Sequence, residues 1–83
     1  MPYERINPIP DKHQRVLEAI GKKIFDLRNA TGLSIERFCA KNDIPRISYT
    51  HLEAGSNFHM TTLLKVLDAY PDIKSLSSFF KSL

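Results

Sequence analysis

The stretch SIERFCAKNDIPRISYTHLEAG, residues 34–55, decides the fold. Its first part has apolar side chains three or four residues apart, which is the spacing of one helix face. These side chains are Ile35, Phe38 and Cys39. Ser34 precedes them and can cap the free N–H groups at a helix start, so we predict a helix over about residues 34–41.

The residues that follow this helix are typical of a sharp corner. Asn42 and Asp43 tolerate a left-handed backbone, and Ile44 offers the corner an apolar plug. Pro45 suits the first turn of a helix. A second helix is therefore predicted over about residues 45–54.

This second helix is predicted to have one buried and one exposed face. The side chains expected to face inward are Ile44, Tyr49 and Leu52, with the Tyr49 hydroxyl reaching the edge of the core. Those expected to face outward are Arg46, Ile47, Thr50, His51 and Ala54. Gly55 then acts as a helix stop. The exposed face is short, mixed and partly cationic.

The chain before this stretch is predicted to be an arm and a long helix. Three prolines near the start favour an extended arm over residues 1–11. Asp11 can cap a helix over about residues 12–30, because apolar side chains recur there at helical spacing. This helix is expected to end before Gly32.

The chain after the corner is predicted to add two helices. One covers residues 60–70 and is stopped by Pro71, and the other is a short helix in the tail that begins at Asp72. No apolar alternation typical of strands is present. The sequence therefore predicts an all-α fold, a small five-helix bundle, with residues 12–83 as one domain.

Length, charge and cysteine content fit a small intracellular protein. A chain of 83 residues can build one limited core. Its single cysteine cannot form an internal disulfide, and no apolar leader is visible, so we expect a cytoplasmic protein without a membrane segment. The net charge of +3 permits binding to a polyanion without requiring it.

The chain resembles the helix-turn-helix family of phage repressors and Cro proteins, the Cro/repressor or XRE type. The resemblance covers roughly residues 20–70 and is carried in register by IGKKIFDLRNATGLS, FCAKNDI, PRISYTHLEAG and MTTLLKVLDAY. It implies a bundle of the phage-repressor type and a transcriptional regulator, most simply a repressor. Such a protein binds double-stranded DNA as a dimer, with the recognition helix, here residues 45–54, in the major groove.

The resemblance implies base contacts from the exposed face of the recognition helix. Arg46, at the start of this helix, could bond bidentately to guanine. Ile47 and Thr50 could touch a thymine methyl, and His51 stands where the family often places a second base-reading side chain. Each of these residues has a plainer interpretation as a solvated surface side chain.

Flanking residues are expected to contact phosphates and set the docking register. The candidates are Ser34 with the free amides of its helix, Arg37, Lys41, Ser48, Ser56 and Asn57. Ile35 occupies the position where the family usually has a DNA-reading glutamine. The resemblance also implies a structural ion pair between Arg28 and Glu53, which would tie the recognition helix to the first helix.

Other chemistry is not predicted. Cys39 and the histidines His13, His51 and His59 lack metal-ligand spacing, and Cys39 is expected to be buried. No serine has an acid and histidine pattern typical of a nucleophile. We expect a protein that is not an enzyme and that has neither a metal nor another cofactor.

The tail is the preferred surface for the expected homodimer. Phe79, Phe80 and Leu83 supply its apolar side chains, and the start of the first helix is the second choice. The alternative is that these rings close the core of the monomer.

A second function from a different class remains open. The module could keep the fold and bind proteins, as an antitoxin-like or adaptor domain does. Ile35, the replacement of basic residues by Ser56, Asn57 and Phe58, and the low net charge favour this alternative. Cations gathered near the amide end of the helix at residues 34–41 would favour DNA, whereas an apolar patch that includes Ile47 would favour a protein groove.

Overall fold

The computed structural model describes residues 9–83, and within them the protein is all-helical. Its five helices are α1 (Asp11–Thr31), α2 (Ile35–Asn42), α3 (Arg46–Glu53), α4 (Met60–Asp68) and α5 (Leu76–Lys81). No strand occurs in this range. The predicted fold class, a small all-α bundle, is therefore confirmed. Most of the predicted extended arm, residues 1–8, lies outside the described residues.

Helix α1 begins and ends close to the predicted positions. Asp11 was expected to cap it, but Asp11 is the first helical residue and Pro10 stands at the cap position. The Pro10 carbonyl accepts hydrogen bonds from the N–H groups of His13 and Gln14, at 2.9 Å each. At the other end, Gly32 has a φ of 76°, a left-handed conformation that glycine adopts without strain.

The corner between α2 and α3 forms as the sequence predicts. The Ser34 Oγ accepts a hydrogen bond of 3.1 Å from the Arg37 N–H and so caps α2. Asp43 ends α2 in the left-handed region, with a φ of 55°. The N–H of Ile44 then donates to the Cys39 carbonyl at 3.0 Å, and the Ile44 side chain is buried. These contacts close the last turn of α2 and turn the chain into α3.

The core lies between α1, the corner helices and α4, with one ring from α5. Its buried apolar side chains are Ile20, Ile24, Phe38, Cys39, Ile44, Tyr49, Leu52, Leu63, Val66, Leu67 and Phe79. The burial of Cys39 is confirmed. Two expectations were wrong. The Tyr49 hydroxyl does not reach the edge but is itself buried, and Phe79, expected on a dimer surface, is fully buried within the chain.

Helices α4 and α5 are shorter than predicted. Helix α4 ends at Asp68, because the Tyr70 N–H turns back to the Leu67 carbonyl at 3.0 Å and tightens the chain before Pro71. Helix α5 begins at Leu76, where the Ser75 Oγ accepts from the Ser78 N–H at 3.1 Å. None of the described helices combines the length and the apolar composition needed to cross a bilayer.

Candidate nucleic-acid interface

Helix α3 has two chemically different faces. Tyr49 and Leu52 are wholly buried, and they hold the helix against the core. On the opposite face Ile47 is 77% exposed, and the neighbouring side chains of Arg46, Thr50 and His51 are also exposed. The helix therefore offers one mixed polar and apolar surface to a ligand.

The predicted ion pair between Arg28 and Glu53 is present and nearly dry. The Arg28 Nε donates to Glu53 Oε2 at 2.8 Å, and its Nη2 donates to Oε1 at 3.0 Å. The two side chains are only 12% and 9% exposed. Hydrogen bonding to Glu53 raises the pKa of Arg28, against the opposing effect of burial. This bidentate pair fixes the last turn of α3 to α1.

Arg28 makes a third hydrogen bond, to the turn that leads into α2. Its Nη1 donates to the Leu33 carbonyl at 2.7 Å. The guanidinium also lies 5.6 Å from the centre of the Phe25 ring, within the range of a cation–π contact. Arg28 on α1 therefore contacts both a residue before the start of α2 and the last residue of α3.

Arg46 is exposed at the tip of α3, but it has a partner that the sequence did not suggest. Its Nη1 donates to Glu36 Oε2 at 3.1 Å, and the two side chains are 64% and 73% exposed. Glu36 lies in the first turn of α2, so the ion pair bridges the two corner helices at the solvent side. The nearby carboxylate partly offsets the positive charge of Arg46.

Only some of the residues predicted to contact phosphates lie close together. Ser34 and Arg37 are exposed at the amide end of α2. The half-buried Ser48 hydroxyl shares a short hydrogen bond with that of Thr62 on α4. Lys41 lies at the other end of α2, where it borders a separate depression beside Tyr70.

A groove runs along α3 toward the loop that leads to α4. It encloses about 710 Å³. Its lining residues are Pro45, Ile47, Ser48, His51, Asn57, Phe58 and His59. The half-buried Phe58 and exposed Ile47 give it an apolar floor and edge, and neither Asp nor Glu is among the lining residues. Asn57 is exposed in this groove, Ser56 is half-buried beside it, and Ile35 is half-buried against the core.

Several contributors to this region were missed by sequence reasoning. Glu36 pairs with Arg46, and Thr62 pairs with Ser48. Lys65 on α4 donates to the Asp43 carbonyl in the corner at 3.3 Å. Each contact joins elements that are far apart in the chain or are separated by the corner, so helical spacing alone carries no signal for it.

Cys39, the other reactive side chain considered, lies in the core. Cys39 is 4% exposed, and burial raises the pKa of its thiol. Within residues 9–83 no group of three His, Cys, Asp or Glu side chains is arranged to hold a metal ion.

Comparison with known proteins gives no relative to reason from. No family model matches the chain, and no curated protein or solved structure is significantly similar to it.

Proposed function

We propose that this protein is a DNA-binding transcriptional regulator, most simply a repressor, of the Cro/repressor helix-turn-helix type. In the proposed complex, α3 enters the major groove and the exposed side chains of Arg46, Ile47, Thr50 and His51 meet the base edges. The amide end of α2, with Ser34 and Arg37, lies against the phosphate backbone.

The observation that carries this proposal is the exposed face of α3 on a firmly held helix. Tyr49 and Leu52 bury the inner face, and the bidentate Arg28–Glu53 pair holds the end. The outer face keeps Ile47 77% exposed beside an arginine fork. A helix in a corner with this division of faces suits insertion into a groove about as wide as a helix.

Selection of bound sequences from random duplex DNA tests the proposal, followed by a salt titration on the enriched duplex. We expect one motif to be enriched, and Arg46→Ala to lose the preference for it. Arg15→Ala is the matched control, because Arg15 is exposed on α1 and its substitution removes the same charge from a different surface. Retention of all duplexes equally, or of none, would contradict sequence-specific binding.

The proposed regulator binds DNA as a homodimer, because one module of this size makes few base contacts. Phe79 is not available to a partner, since it is fully buried. Phe80 and Leu83 are 38% and 46% exposed, and they form the remaining apolar surface of the tail. We assign the dimer contact to these two side chains.

A protein-binding module is the second candidate, and the groove beside α3 favours it. Pro45, Ile47 and Phe58 give this groove an apolar character, and Glu36 offsets the charge of Arg46. The salt dependence of binding separates the two functions. Contacts to phosphates weaken steeply as salt rises, whereas an apolar contact with a peptide changes little.

A further inference from the structure

Arg28 and Arg46 differ in which edge of the guanidinium is hydrogen-bonded. In Arg28 the Nε and Nη2 groups donate side by side to the carboxylate of Glu53, and Nη1 donates to a carbonyl. In Arg46 only Nη1 is engaged, by Glu36 at 3.1 Å. The Nε and Nη2 edge of Arg46 has no acceptor among residues 9–83.

We propose that Glu36 is a specificity-determining residue, which restrains Arg46 by its Nη1 and presents the remaining edge of the guanidinium to paired acceptors on a base. The inference rests on the proposed DNA-binding function and deepens it. A guanine offers such a pair through its O6 and N7 atoms in the major groove. The geometry that Arg28 adopts on Glu53 shows that this edge suits a pair of acceptors.

The ion pair discriminates between duplexes because it survives in only one kind of complex. On a duplex with guanine at the contacted position, Arg46 keeps its bond to Glu36 and uses its other edge for the base. On a duplex without that guanine, Arg46 turns to a phosphate and gives up Glu36. The free energy of the ion pair therefore adds to the difference in binding free energy that favours the duplex with guanine.

The carboxylate of Glu36 also repels phosphates, and this effect must be separated from its action through Arg46. Simple repulsion acts on every duplex alike, so it changes both affinities by the same factor and cancels in their ratio. The ratio of the two affinities is therefore the quantity to measure.

The experiment compares the affinity for the selected duplex with that for the same duplex changed at the guanine that Arg46 contacts. We expect Glu36→Gln to lower this ratio by about twofold to fivefold, the size that an exposed ion pair supports. Asp26→Asn is the control, because it removes another exposed, paired carboxylate, from the face of α1 opposite Gly21 and Ile24; the Asp26 side chain is 51% exposed and bonded to Lys22, whereas that of Glu36 is 73% exposed. This variant should leave the ratio unchanged.

The same substitution in an Arg46→Met background completes the test. There, Glu36→Gln should no longer change the ratio, since the restrained side chain is gone. Two results would overturn the inference and leave the proposed DNA binding intact. One is an unchanged ratio in Glu36→Gln alone, and the other is an equal change of the ratio with and without Arg46. A wild-type protein that prefers no sequence would instead remove the proposed function itself. Thermal melting of each variant confirms that it is folded.

Discussion

Gly21 on α1 lies directly against the backbone of Glu53 at the end of α3. A Cβ at position 21 would stand 2.7 Å from the Glu53 carbonyl oxygen and 2.9 Å from that of Leu52. These distances are shorter than real Cβ contacts, and both neighbours are backbone atoms, which cannot rotate away. The close approach of α1 and α3 therefore requires glycine.

Gly21→Ala should destabilise the protein by about 2 kcal/mol, because α1 must move away from α3 to admit the methyl group. In an open helix the same change would be stabilising, since alanine is the better helix former. Urea unfolding measures the difference. Ala19→Gly, at an exposed position two residues earlier, is the control for helix propensity alone. Greater stability in Gly21→Ala would contradict the close packing.

Arg28→Met should destabilise the protein by roughly 3 kcal/mol, because it leaves the Glu53 carboxylate nearly buried and without its partner. Lys22→Met is the matched control, since the Lys22–Asp26 pair is 73% and 51% exposed and such pairs contribute little. Thermal melting should place Arg28→Met clearly below Lys22→Met. Equal melting temperatures would show that the buried pair does not hold α3.

Ile47→Ala should separate binding from folding. Ile47 is 77% exposed, so its loss should change the free energy of unfolding by no more than about 0.5 kcal/mol. The affinity for the selected duplex should nevertheless fall, because the side chain is central to the outer face of α3. Val16→Ala truncates another exposed apolar side chain, on α1, and should affect neither quantity. Fluorescence anisotropy and thermal melting give the two measurements.

Replacing both Phe80 and Leu83 by serine should convert the proposed dimer to a monomer without unfolding it. Both side chains are partly exposed, whereas Phe79 between α5 and the core is left intact. Val16→Ser makes a similar change at the start of α1, the alternative surface, and should leave the dimer in place. Sedimentation at micromolar concentration reports the state. A wild-type monomer would end the assignment of the tail as a dimer contact.

Tyr49→Phe should reduce the loss of stability at alkaline pH. Burial is the main cause that raises the pKa of Tyr49 above its ordinary value of about 10, so the folded state disfavours the phenolate. The stability that depends on this group is complete below about pH 10 and falls as the pH rises past it. At pH 11 the contribution of Tyr49 should make the free energy of unfolding about 1.4 kcal/mol lower than it is well below pH 10.

Urea unfolding of the wild type and of Tyr49→Phe at pH 8 and pH 11 measures this effect. The wild type should lose more stability than the variant between the two values. The variant should still lose some, because burial also raises the pKa of Tyr70. An identical loss in both proteins would show that the Tyr49 hydroxyl titrates normally.

Local signals in the sequence predicted the corner almost to the residue. Ser34 caps α2, Asp43 takes the left-handed conformation, and Ile44 is buried, as expected. Each of these outcomes depends on a local property of the residue: the Ser34 hydroxyl caps, Asp43 tolerates a positive φ, and the Ile44 side chain is apolar. The last helix was placed less well, because its start depends on the Ser75 cap rather than on the apolar pattern that follows.

The features that sequence reasoning missed depend on packing between elements. The Tyr49 ring packs on the Phe38 ring of α2, with the ring centroids 5.4 Å apart, and Phe38 packs in turn on Tyr70 at 6.1 Å. The Tyr49 hydroxyl is buried in this packing. Arg46 was expected to be exposed, and it is, but its contact with Glu36 spans ten positions across the corner and was not predicted. The Arg28–Glu53 pair was found only because the family resemblance implied it.

The three hydrogen bonds of Arg28 have a consequence for how a ligand is met. One guanidinium fastens the Leu33 carbonyl, before α2, and the Glu53 carboxylate, at the end of α3. Movement of either element away from α1 would break hydrogen bonds to the same side chain, so we expect a ligand on this surface to meet side chains that are already held in place. Association should then cost little conformational entropy, and the side chains on that surface, rather than coupled folding, should decide the affinity.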